Sequence, residues 1–144
     1  MSPAPGVSAL DHVLLLSDDI KRSREFYEDA LGLRTGPRPP LEFDGFWLYA
    51  GERPCLHVAD RGAYRAHAQT LGLTVPEQAG GPGPVDHIAF VAHDYDAACR
   101  RLERCGVNPV RNDVPGGGPR QLFFFDPDGA RVEINTPATD PKGG

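Results

Sequence analysis

Short apolar runs broken by turn residues dominate the chain, and two of them are near copies. Leu10-Asp11-His12-Val13-Leu14-Leu15-Leu16 leads into Ser17-Asp18-Asp19, and Val85-Asp86-His87-Ile88-Ala89-Phe90-Val91 leads into Ala92-His93-Asp94, at a constant offset of 75 residues. Each run has the length and branched-residue content of a strand and holds one Asp-His pair. Behind each run the period becomes helical. Ile20, Phe26, Tyr27, Ala30 and Leu31 form a stripe opposite Lys21, Arg24 and Glu28, with Asp18 or Asp19 to cap it and Gly32 to stop it. Tyr95, Ala98, Leu102 and Cys105 form a second stripe opposite Arg100, Glu103 and Arg104, between Asp94 and Gly106.

Hairpin-like sequence follows each helix. Phe46–Ala50 and Cys55–Val58 flank Gly51-Glu52-Arg53-Pro54, while Leu122–Phe125 and Arg131–Ile134 flank Asp126-Pro127-Asp128-Gly129. In the second turn Pro presets φ and Gly accepts the left-handed position. These hairpins align at an offset of 76, which sets His57 against Glu133. The pattern predicts an α+β fold of two β-α-β-β-β modules. One domain is expected over residues 7–138: module one at 7–60, a connector at 61–84 with a helical pattern around Ala63–Leu71, and module two at 85–136. The first six residues and the tail 139–144 are expected to be flexible.

Composition narrows the functional classes. A chain of 144 residues matches one domain, and 40% hydrophobic with 24% charged residues excludes wholesale disorder. Gly 17 and Pro 15 fit a turn-rich, strand-rich fold. The net charge of -5 offers no basic footprint for nucleic acid and would be repelled by an anionic membrane. No apolar run approaches the roughly 20 residues of a bilayer span. Met-Ser-Pro-Ala-Pro-Gly has no signal-peptide pattern, and Cys55, Cys99 and Cys105 lack zinc-like spacing. A cytoplasmic protein with free thiols is expected.

Four ligand-type side chains fall at repeat-equivalent places: His12 and His87 on the first strands, His57 and Glu133 on the last. A pseudo-twofold between the repeats would bring them together where the sheets meet. Imidazole nitrogens with one carboxylate suit a divalent metal ion such as Fe, Ni, Zn or Mn, and the absence of cysteine argues against structural zinc. His67 and His93 lie outside the pattern and read as surface residues.

These segments resemble the vicinal oxygen chelate superfamily, which includes glyoxalase I, fosfomycin- and bleomycin-resistance proteins, methylmalonyl-CoA epimerases and extradiol dioxygenases. Leu10–Val13, Arg24–Leu33, Val85–Phe90 and Phe125–Glu133 carry the resemblance, which covers nearly the whole chain. It implies curled mixed sheets around a metal-binding cleft, with His12, His57, His87 and Glu133 as ligands. It also implies that Glu133 doubles as a catalytic proton shuttle. In two-module relatives module one of one chain commonly pairs with module two of another, so a homodimer is expected.

Strand alternation puts Trp47 with Tyr49, and Gln121 with Phe123 and Phe125, on common faces. If those faces line the cleft, the site takes a small, partly apolar molecule with oxygen donors; otherwise these aromatics pack under the helices. Arg34, Arg38, Arg61, Arg65 and Arg120 are candidates to meet an anionic group or to be solvated surface. Val114–Pro119 reads as a cover loop without P-loop chemistry, and no glutathione-binding set stands out. The reading is a metal-dependent lyase, isomerase or dioxygenase; the rival is a non-catalytic drug-sequestering protein.

Overall fold

The computed structural model describes residue 6 and residues 9–73 and 85–138. The connector's residues 74–84, residues 1–5 and 7–8 and the tail 139–144 lie outside the described residues. The elements are β1 (Val13–Ser17), α1 (Ile20–Leu31), β2 (Arg34–Gly36), β3 (Gly45–Ala50), β4 (Arg53–Asp60), α2 (Arg61–Thr70), β5 (Ile88–Val91), α3 (Tyr95–Arg104), β6 (Val110–Asp113), β7 (Arg120–Phe125) and β8 (Arg131–Thr136). They form two four-stranded mixed sheets, ordered β1-β4-β3-β2 and β5-β8-β7-β6. In each the first strand runs parallel to the last, and the other pairings are antiparallel.

The helix signals act as expected. Asp19 caps α1 by accepting from the Arg22 N–H, and Asp94 caps α3 through Ala97. Gly32 ends α1 at φ 71°, where a residue with a Cβ would be strained. The parallel ladders begin at Val13 with Leu56 and at Ile88 with Val132, so His12 and His87 stand one residue ahead of their strands. The repeat equivalence survives: His57 pairs beside Leu14 and Glu133 beside Ala89.

Inward residues of both sheets meet α1 and α3 in one core that includes Tyr27, Leu48, Leu56, Leu102, Leu122 and Val132. Each fully buried leucine contributes about 1.5–3 kcal/mol of hydrophobic burial. The Asp126–Gly129 turn then ties module two to α1. Tyr27 Oη donates to Asp126 Oδ2 at 2.7 Å, and Ser23 Oγ donates to Asp128 Oδ2 at 2.7 Å. The backbone N–H groups of Asp128 and Ala130 donate to Asp126 Oδ1 at 2.9 and 2.8 Å. Burial pushes the Asp126 carboxyl up and the Tyr27 phenol up.

Candidate functional site

Alternation decides which side chains leave the core. Leu48, Leu56 and Val58 are buried inward, so Trp47, Tyr49 and His57 project from the outer face of the first sheet. The His57 ring stacks on Trp47 at 4.1 Å and 8°, and on His12 at 3.8 Å and 14°. His57 Nε2 donates to the Pro54 carbonyl at 3.1 Å, which leaves Nδ1 as its acceptor nitrogen. His12 Nδ1 donates to Asp11 at 2.6 Å, which turns its Nε2 lone pair away from the dyad. Burial, followed by the charge on His12, holds His57 below the ordinary histidine value. The hydrogen bond from His12 holds Asp11 below the usual carboxylate range.

The second sheet repeats the dyad in a different setting. Leu122 and Phe124 point inward, and Gln121, Phe123 and Phe125 point outward beside Glu133. His87 Nδ1 donates to Asp86 Oδ2 at 2.8 Å, while Arg131 Nη1 reaches both Asp86 oxygens at 3.1 and 3.0 Å. Those two partners, His87 first, hold Asp86 below the usual range. His87 Nε2 and Glu133 Oε1 are 3.2 Å apart, about the separation of two donors on one ion with bonds near 2.1 Å. Gln121 Nε2 donates to Glu133 Oε2 at 3.3 Å, while Gln121 Oε1 accepts from Asn112 Nδ2 at 2.7 Å, which orients the carboxylate. Glu133 is 6% exposed although it leaves the core, because Gln121, Phe123 and His87 surround it.

Among the described residues, no three His, Cys, Asp or Glu side chains lie within reach of one ion. Within one chain the structure brings His12 together with His57, and His87 together with Glu133, as two separate pairs. Among the described residues the two modules join through α1 and α3, and the two sheets do not pack against each other by their outer faces. His12 and His57 also fail to converge, since an ion in the plane of one stacked ring lies off the plane of the other.

Known proteins share this sequence pattern and fold. The profile of the Glyoxalase/Bleomycin resistance protein/Dioxygenase superfamily matches residues 9–134. The chain belongs to this superfamily. It is 33% identical to "Glyoxylase I 4" of Arabidopsis thaliana over 137 residues, covering 89% of this chain and 70% of that protein. It is also 33% identical to the lactoylglutathione lyase of Pseudomonas aeruginosa over 142 residues, covering 86% and 80%. The crystal structure of a lactoylglutathione lyase from Agrobacterium tumefaciens superposes with a TM-score of 0.67 at 22% identity, covering 91% and 95%.

Within this member of the glyoxalase superfamily, several residues have roles that periodicity did not disclose. His67 lies against Phe43 at 5.2 Å and lines a cavity with His12 and His57. Only its position one turn beyond Tyr64 in a helical pattern could have signalled this. Arg61 is buried and binds Asp18 Oδ1 at 3.0 Å and the Leu16 carbonyl at 3.3 Å, so it braces the α2 start against β1. Tyr49 covers Gly36 and donates to the Pro37 carbonyl. Val114–Pro119 closes on itself through a Val114 N–H to Pro119 carbonyl bond of 3.0 Å. Among the described residues, no helix is long and apolar enough to cross a membrane.

Proposed function

We propose that this chain is a metal-dependent glyoxalase-like enzyme acting on a small oxygen-chelating substrate, with lyase or isomerase chemistry favoured by the lactoylglutathione lyase relatives. The observation that carries the reading is the 3.2 Å approach of His87 Nε2 to a carboxylate that is only 6% exposed. The donor chemistry fits a divalent ion: Asp11 and Asp86 each hold an imidazole Nδ1, which leaves Nε2 as the ligand atom. His12, His87 and Glu133 would hold the ion, and His57 joins them only if its ring leaves the stack. When bound, the ion supplies Lewis-acid stabilisation of negative charge developing on a substrate oxygen.

The chain's own residues do the rest. Gln121 orients Glu133, whose Oε1 can take a proton from a substrate carbon and return it elsewhere. In the proposed homodimer, the first sheet of one chain faces the second sheet of its partner, which joins His12 to His87 and Glu133. The exposed outer face of the second sheet, with Val91 at 63% and Phe125 at 58%, is apolar enough to be covered in this way. A ligand-sequestering protein is the second reading, favoured by the aromatic cavity beside His57.

Calorimetry on metal-stripped protein tests the first reading. One divalent ion per site should bind, His87→Ala should abolish it, and light scattering should give about twice 15.6 kDa. Absence of ion binding would leave the sequestering reading in its place.

A further inference from the structure

The cavity of about 200 Å³ on the first sheet is lined in part by Arg38, Phe43, Trp47, His57, Tyr64 and His67. Its wall is not made by the repeated module alone. The segment between β2 and β3 supplies Arg38 and Phe43, and α2 supplies Tyr64 and His67. Phe43 meets Tyr64 edge-on at 5.0 Å and His67 at 5.2 Å, which closes the aromatic side.

Arg38 is held in place from several directions. Its Nη2 donates to the Phe43 carbonyl, and its guanidinium carbon lies 5.3 Å from the Phe43 ring centroid. Just ahead of it, Tyr49 Oη donates to the Pro37 carbonyl, and the Tyr49 ring rests on Gly36, where a Cβ would come within 2.7 Å. Gly45 makes room as well. A Cβ there would lie 2.3 Å from the Val58 carbonyl and 3.3 Å from Arg38 Nη2. Among the described residues, no carboxylate pairs with this half-buried guanidinium. One nitrogen is spent on a backbone carbonyl, and the rest of the planar donor fork is available to an acceptor entering the cavity.

We propose that this cavity is an anion-selective subsite for a small planar aromatic carboxylate, with the carboxylate on Arg38 and the ring against Phe43, Tyr64 and Trp47. Rigid aromatic walls favour a flat ring, and a guanidinium in a partly desolvated cavity favours a planar anion over a neutral isostere. The volume is below the roughly 300–1,000 Å³ of drug-sized sites, which restricts the ring portion to one small ring. The subsite deepens the proposed function, since the same ligand's oxygen donors would reach toward the His12 side. Its affinity for the ring and carboxylate needs no ion. Tyr49 is assigned as a positioning residue, acting on Arg38 through the Pro37 carbonyl.

The test uses the full chain stripped of metal by a chelator, titrated with benzoate and with the neutral isostere benzamide. Affinity is read by calorimetry, and location by NMR shifts of the Tyr64 and His67 ring protons. Benzoate should bind at least about tenfold tighter than benzamide, with both ring signals shifting. Arg38→Gln should erase that preference, Arg38→Lys should keep part of it, and Tyr49→Phe should reduce it several-fold. Circular dichroism melting of each variant identifies any that fail to fold. Equal binding of the two probes overturns the proposal in the unmutated protein. So does binding of neither up to about 10 mM, binding that leaves both rings unshifted, or an unchanged preference in folded Arg38→Gln. A separate divalent-ion titration of the same stripped protein reports on the metal reading, so either can fall while the other stands.

Discussion

Modules one and two share a strand order, a parallel pairing of first with last strand, and an Asp-His dyad ahead of that first strand. Their outer faces differ in almost everything else. On module one, His57 is locked in an aromatic stack and bonded to the Pro54 carbonyl, beneath a roof made by α2 and the β2–β3 segment. On module two the equivalent position is Glu133, oriented by Gln121 and facing His87, while Ala89, Val91 and Phe125 lie open around it. A shared backbone register preserved where ligand-type residues can sit. Neighbouring segments then set the two halves apart, and under the proposed function module one would hold and recognise the ligand while Glu133 of module two would move protons.

The sharpest way to break that division is Glu133→Gln set beside His57→Gln. The first should lower turnover per bound metal by about 10²–10⁴-fold, the usual worth of a general base. His57→Gln should alter turnover far less, since its Nε2 is committed to Pro54. Steady-state rates normalised to metal content decide this, with α-keto thiohemiacetals, acyl-CoA epimers and catechols as the screened substrates. Equal losses in the two variants would make the halves functionally alike.

A smaller effect tests what the modules share. Asp11→Asn and Asp86→Asn should each weaken divalent-ion binding by about 10–100-fold, the range for partners that orient a metal-binding histidine. Competition titration against a metallochromic chelator measures it. If only Asp86→Asn matters, module one contributes recognition without a ligand.

The smallest expected effect concerns pH and separates the two imidazole environments. Burial depresses His57, so below about pH 6.5 the unfolded chain binds more protons at this residue than the folded one does. Its contribution to stability is complete above that value. It is lost as pH falls toward the depressed folded value and levels off beneath it. Urea unfolding in chelator between about pH 7.5 and 5 should show a shallower decline for His57→Gln than for the unmutated chain.

Much of this was legible in the chain itself. The repeat of Leu10–Leu16 in Val85–Val91, the caps at Asp18 or Asp19 and at Asp94, the stop at Gly32 and the Asp126–Gly129 turn are local signals, and local backbone preferences enforce them. Because side chains alternate strictly in a strand, knowing that Leu48, Leu122 and Val132 are core residues would have placed Trp47, Phe123 and Glu133 on the outer faces. Alternation without that knowledge left the face open. The Asp-His pairs were visible as sequence, but the Nδ1 hydrogen bonds that give them meaning depend on rotamers.

Tertiary structure decided the rest. Whether four equivalent residues converge depends on how two sheets are turned relative to each other, and that is fixed by the packing of α1 on α3 and by the Tyr27–Asp126 and Ser23–Asp128 bonds, contacts about 100 residues apart in the chain. The Arg38 cavity is likewise non-local: it exists because α2 folds back over the first sheet and sets Tyr64 and His67 against Phe43. Periodicity describes the direction a side chain takes from its own element, and it carries no information about which distant element arrives to meet it.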